Sequence, residues 1–120
     1  SPNIMGIVAC EAGYKYGDVW FEELKTYLKH NIKFTENYIK ENIPKIKVIH
    51  PEGTYLLWLD FNDYHLSDQE IELKLTNEAK LWLKSGYSFG KNGSGFQRLN
   101  IALPKENLYH ALEQLKNKFC

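Results

Sequence analysis

SFGKNGSGFQRLNIALP, residues 88–104, holds the only arginine of the chain: among fifteen Lys and Arg residues, Arg98 alone carries a guanidinium. Gly90, Gly93 and Gly95 mark a loop, and Gln97 to Leu103 alternates in the manner of a strand. Alternation sends Leu99, Ile101 and Leu103 to one face and Phe96, Arg98, Asn100 and Ala102 to the other. One face is apolar and the other carries a charge. Arginine surpasses lysine wherever a planar carboxylate or phosphate is gripped by two parallel hydrogen bonds, because its donors form a fixed fork and its charge survives partial desolvation. The glycines just upstream let the backbone take positive φ and turn free amides toward an anion. The alternative is that Arg98 makes an internal salt bridge and the glycines only turn the chain.

Working outward, Lys80 to Leu83 reads as a short strand and Gly86 to Gly95 as a glycine-rich loop. Pro104 suits the first turn of a closing helix carrying Leu108, Ala111, Leu112, Leu115 and Phe119. Further upstream, Ser67 with Glu70 makes a capping box, so a helix starts at Ser67 and ends near Glu78. Lys45 to Ile49 and Thr54 to Phe61 are β-rich runs divided by His50-Pro51-Glu52-Gly53, a turn. Trp20, Leu24, Tyr27, Leu28, Thr35, Tyr38 and Ile39 recur at three- and four-residue intervals, giving a long helix from Asp18, its cap, to Asn42, stopped by Pro44. At 1.5 Å per residue it runs roughly 35 Å, a bridge toward further structure. Asn3 to Ala12 suits a short buried helix ended by Gly13. The fold class is therefore α+β: a small sheet of about four strands with helices packed on it, preceded by a long helix.

Length and composition bound the function. One domain of 120 residues is the expectation, and fifteen acidic against fifteen basic residues give a net charge of +0, which excludes a dominant nucleic-acid or anionic-membrane surface. No stretch approaches the ~20 apolar residues of a membrane span. Cys10 and Cys120 form no disulfide framework, so a reducing, cytoplasmic setting is expected.

The quoted run resembles the C-terminal signature of fold type I pyridoxal-phosphate (PLP) enzymes of the class I/II aminotransferase group, most nearly the MalY/PatB-type cystathionine β-lyase (carbon–sulfur lyase) branch. Phe89-Gly90, Gly93, Gly95-Phe96, Arg98-Leu99-Asn100, Ala102 and Pro104 carry the likeness. SPNIMGIVACEAGY and PEGTYLLWLDF resemble two further stretches of that family, while Met5, Leu103 and Lys105 depart from its usual residues. The resemblance implies that Arg98 binds the α-carboxylate of an amino-acid substrate, with Tyr87, Phe89, Gly95 and Asn100 as candidate pocket-lining residues. It implies a C-terminal small domain whose PLP, Schiff-base lysine and other catalytic groups belong to a large domain upstream. It also makes the long helix the link between domains and the parent enzyme a homodimer. By this reading the 120 residues hold no catalytic residue, bind no PLP alone and are inactive alone. The parent cleaves the Cβ–S bond of a cystathionine- or cysteine-type amino acid; a transaminase using the same arginine is the second reading. A free-standing domain binding a small acid is the reading from another class.

Other residues carry weaker signals. His30, His50, His65 and His110 share no metal-ligand spacing, and no metal is expected. Asp60, Asp63 and Asp68 lack the EF-hand pattern and read as a solvated loop. Cys10 reads as a small core residue, and Trp20, Trp58 and Trp82 as core packing.

Overall fold

The computed structural model describes residues Ser1–Cys120. Four helices, α1 (Ile4–Tyr16), α2 (Asp18–Asn42), α3 (Asp68–Leu73) and α4 (Lys105–Phe119), accompany four strands, β1 (Lys47–Ile49), β2 (Leu56–Asp60), β3 (Lys84–Ser85) and β4 (Phe96–Asn100). The strands form one antiparallel sheet in the order β1-β2-β4-β3. This is the α+β layer that the sequence pattern predicts.

Strand alternation sorts the sheet residues. Leu57, Leu59, Leu99 and Ile101 are buried with Ile39 of α2, Ile71 of α3 and Leu108, Leu112 and Leu115 of α4, within a cluster of 15 buried residues. Helices therefore cover one face of the sheet. Asn31, 1% exposed on α2, donates from Nδ2 to the carbonyls of Ile101 at 2.9 Å and Leu103 at 3.0 Å, tying the long helix to the end of β4. Tyr27 Oη accepts the Lys105 N–H at 2.7 Å, so α2 also satisfies one of the free amides at the start of α4.

Helix α2 has the bounds its apolar stripe predicts, but only its second half is buried: Asn31, Thr35, Tyr38 and Ile39. Gly17, not Asp18, is its cap residue, and Asp18 supplies a favourable acid in the first turn. The capping box at Ser67 is present in both directions, and Ser67's hydrogen bonds, the backbone one first, hold the Glu70 carboxyl below its usual range.

Several expectations are corrected. Helix α1 runs through Gly13 to Tyr16, and none of its residues is buried; its apolar composition reads as core, yet these 120 residues offer no surface to cover it. Cys10 is accordingly exposed, not packed. With Ile4, Met5, Trp20 and Phe21 also exposed, the radius of gyration is 16.9 Å, against about 14 Å for a compact domain of this length. Lys80–Leu83 is not a strand. The α3 helix widens into a π turn over Lys74–Glu78, Lys80 takes a φ of 57°, and the Leu81 N–H reaches back to the Leu75 carbonyl, so pairing begins only at Lys84. Trp82 is 93% exposed and Trp20 66%, so neither packs in the core, and Trp58 is half-buried on the sheet face opposite the helices.

The closing end of the domain is pinned by Tyr64, which donates to the Phe119 carbonyl at 2.5 Å beside an edge-on Phe61–Phe119 pair. Burial, with Cys120 adding to it, pushes the Tyr64 hydroxyl up to about 12. A tyrosine whose folded value lies above its free value of about 10 contributes stability that is complete below pH 10 and lost as pH rises toward 12. Tyr38, which donates to Glu113, is shifted in the same direction by burial first. Denaturation curves taken between pH 9 and 12 are expected to show a smaller loss of stability for Tyr64→Phe than for the unaltered chain; equal slopes would exclude Tyr64 as a contributor.

Candidate functional site

Arg98 sits near the centre of the sheet face that no helix covers. Register places Ile49 opposite Trp58, Trp58 opposite Arg98, and Arg98 opposite Lys84, so these four form one row across all the strands. Directly opposed residues share a face, which puts Phe96 and Asn100 there too, two residues either side of Arg98.

The Arg98 guanidinium lies over the Phe89 ring, 4.9 Å from its centroid, and Phe89 meets Trp58 edge-on at 5.7 Å. Trp58 in turn meets Phe96 edge-on at 5.9 Å. The aromatic wall restrains the guanidinium without neutralising it. The ion pairs of the chain are Lys25–Glu22, Lys47–Asp63, His50–Glu36 and His110–Glu106, and neither Arg98 nor Lys84 joins one. The internal salt bridge that offered the alternative account of Arg98 is not made. Two like charges facing each other on paired strands repel, and an anion placed between them reverses that cost.

Two hollows flank the row. One, of about 260 Å³, has Arg98, Lys84 and Asn100 in its lining but runs toward α4, where Leu59, Ala111 and Leu115 close it; the other, about 350 Å³, is lined by Ile49, Trp58, Phe89, Asn92 and Phe96. Asn100 is exposed, and its Oδ1 accepts the Ala102 N–H at 2.8 Å. Tyr87 is 62% exposed on the turn that leads to Phe89. Gly95 is buried beneath the loop with a φ of 81°, against Asn62.

The glycine loop does not act as an anion nest. The Gly90 N–H is taken by the Tyr87 carbonyl, the Gly93 N–H by the Gly90 carbonyl and the Gly95 N–H by Asp68, so the amides expected to face a ligand are occupied inside the fold. Instead the loop packs on itself: a Cβ at Gly93 would stand 2.0 Å from the Gly86 carbonyl oxygen. Asp68 is likewise not a solvated loop residue, since it binds Ser94 and Gly95. Asp60 accepts from Asn62, and Asp63 pairs with Lys47. His50 pairs with Glu36 at 2.6 Å in a separate groove between α2 and the β1–β2 turn. No group of three His, Cys, Asp or Glu side chains is placed to hold a metal ion.

Phe96 lies on this face as strand alternation predicts, whereas Trp58 and Lys84 are parts of it that the sequence pattern did not place there. Trp58 was legible in principle, because it alternates with Leu57 and Leu59, which are buried. Lys84 was not, because its strand has only two residues.

The class that the fold and this face define is an α+β domain with one open sheet face and an unpaired arginine at its centre. The particular family follows from comparison: the sequence profile of aminotransferase class I and II matches residues 6–115, and the chain belongs to that family. Cystathionine beta-lyase PatB of Bacillus subtilis is 36% identical over 114 residues, 95% of this chain and 30% of its own length. A PLP-bound structure from Clostridium difficile 630, provisionally described as an aminotransferase, superposes with a TM-score of 0.96 at 48% identity, covering 98% of this chain and 30% of that one. Cystalysin from Treponema denticola, which contains a pyridoxal 5'-phosphate cofactor, gives 0.93 at 31% identity over 97% and 29%. The chain thus spans about 30% of the length of the relatives it matches.

The residues present do not fit a PLP site. A lysine that forms a Schiff base needs a desolvated setting, and no lysine of this chain is buried. No helix is long and apolar enough to cross a membrane.

Proposed function

We propose that residues 1–120 are one domain, the C-terminal small domain of a PLP-dependent carbon–sulfur β-lyase of the cystathionine β-lyase type, and that Arg98 grips the α-carboxylate of its amino-acid substrate. The observation that supports this reading is a half-buried guanidinium without an ion pair, oriented by Phe89 and in register with a second unpaired cation. A carboxylate is planar and singly charged, and the fork of an arginine meets both its oxygens. Fixing that end of the substrate sets the orientation of the Cα–H bond and of the Cβ–S bond to be broken. Phe89 holds the guanidinium, Trp58 and Phe96 wall the face, Asn100 and Tyr87 border it, and Gly95 underlies it.

The larger part of the same protein supplies the cofactor and the catalytic groups, and 120 residues alone turn over no substrate. The exposed apolar residues of α1 and the start of α2, Met5, Val8, Trp20 and Phe21 among them, suit packing against that part. The parent is a homodimer, and the free thiols of this chain at Cys10 and Cys120 suit the cytoplasm.

Transamination is the second reading, favoured by the description of the Clostridium difficile relative. Incubating the full-length protein with cystathionine and no 2-oxo acid separates the two. Release of pyruvate and free thiol is the expected result, and strict dependence on an added 2-oxo acid would replace the lyase reading by the aminotransferase one.

A further inference from the structure

Arg98 follows directly on a loop that is gripped from elsewhere in the chain. Asp68 is the first residue of α3, and its carboxylate reaches the glycine loop: Oδ2 accepts the Ser94 hydroxyl at 2.6 Å and Oδ1 accepts the Gly95 N–H at 2.7 Å. The Gly95 carbonyl in turn accepts the Phe61 N–H at 2.9 Å. Both backbone hydrogen-bonding groups of Gly95 are therefore fixed just before β4 begins. Its φ of 81° suits a glycine there, and the space a side chain would need is taken by Asn62, whose amide is held by Asp60 at 2.7 Å. The loop upstream is closed by the Gly86–Gly93 contact, and Phe89 projects from between those two glycines onto the guanidinium. Asp68 joins no ion pair, so its charge is directed at these two donors. Charge-assisted hydrogen bonds of this kind are stronger than neutral ones.

We propose that Asp68 is a positioning residue for the carboxylate site: by holding Ser94 and Gly95 it fixes the start of β4 and the Phe89 loop, and so the direction in which Arg98 presents its two donors. This rests on the reading of Arg98 as the carboxylate anchor. The competing account is that Asp68 merely supports the start of α3. That start has its own device, the reciprocal hydrogen bonds of Ser67 and Glu70 at 3.2 and 2.7 Å, which touch nothing in the loop. Ser67→Ala is therefore a control that weakens the helix start and leaves the loop clamp intact.

The test uses the full-length holoprotein and two competitive inhibitors, L-norvaline and butylamine, which differ by the α-carboxylate alone and carry no Cβ–S bond to be cleaved. The ratio of their inhibition constants reads the contribution of the carboxylate contact, which a general loss of stability does not move. Asp68→Ala is expected to cut that ratio on the order of tenfold through loss of two charge-assisted hydrogen bonds. Asp68→Asn, which keeps an acceptor for the Gly95 N–H, is expected to restore most of it. Ser67→Ala should lower Tm and leave the ratio unchanged. Should Asp68→Ala not fold, Ser94→Ala removes one of the two hydrogen bonds, and a smaller drop in the ratio is expected. An unchanged ratio in whichever of these variants folds overturns the role of Asp68. Arg98→Ala measured alongside keeps the two claims apart: if it too leaves the ratio unchanged, the carboxylate anchor itself is misplaced, whereas a collapse there with Asp68 variants unaffected overturns only the positioning role.

Discussion

Arg98→Ala in the full-length protein is expected to lower kcat/KM for the amino-acid substrate by about 2 to 5 kcal/mol, roughly 30-fold to several thousand-fold, the usual effect of truncating one partner of a hydrogen-bonded charge pair. Stability should change little. The guanidinium is in no ion pair within the chain, and its contact with Phe89 is worth only about 0.5–1 kcal/mol at a partly exposed site. Arg98→Lys keeps the charge and loses the fork, so it should recover only part of the activity. A variant with a normal Tm and a large kinetic defect is what a substrate anchor predicts. A large fall in Tm with kinetics intact would mean that Arg98 serves the fold.

Gly93→Ala is expected to have the largest effect on the folded state. The added Cβ would stand 2.0 Å from the Gly86 carbonyl oxygen and 2.5 Å from its carbon, and these are backbone atoms that cannot rotate away. The loop has to open, at a cost of about 3 kcal/mol or more, the upper part of the range for forcing extra volume into a packed site. Because Phe89 lies between the two glycines, opening the loop also releases the guanidinium, so KM should rise with the fall in stability. Gly53→Ala is the matched control, since nothing lies within 4 Å of a Cβ there. Thermal melts of both variants check this, and a Gly93→Ala protein melting like the Gly53→Ala control would contradict the packing described.

How much of this the sequence discloses depends on the range of the interaction. Helix α2 is legible because three- and four-residue spacing and Pro44 are local signals, and its ends match. The capping box at Ser67 is local too. Strand alternation alone puts Arg98 on the face away from Leu99 and Ile101, which is where it lies. Much of what fails depends on distant partners. Helix α1 reads as buried because burial is inferred from composition, and this chain has nothing to set against it. The π turn and the positive φ of Lys80 shift pairing from Lys80–Leu83 to Lys84–Ser85, and no residue pattern announces either. The free-amide reading of Gly90 and Gly93 fails because local turns take their N–H groups, and that of Gly95 fails because Asp68, 27 residues earlier, takes its N–H. Spacing along the chain holds no trace of such a contact.

The central claim is that Arg98 receives the substrate carboxylate. The most direct measurement is a crystal structure of the full-length protein with an amino-acid inhibitor bound. Two parallel contacts of about 2.7–2.9 Å between the inhibitor's carboxylate oxygens and the Arg98 guanidinium are the predicted result. A carboxylate held by other groups, with Arg98 paired to an Asp or Glu of the protein, would contradict it.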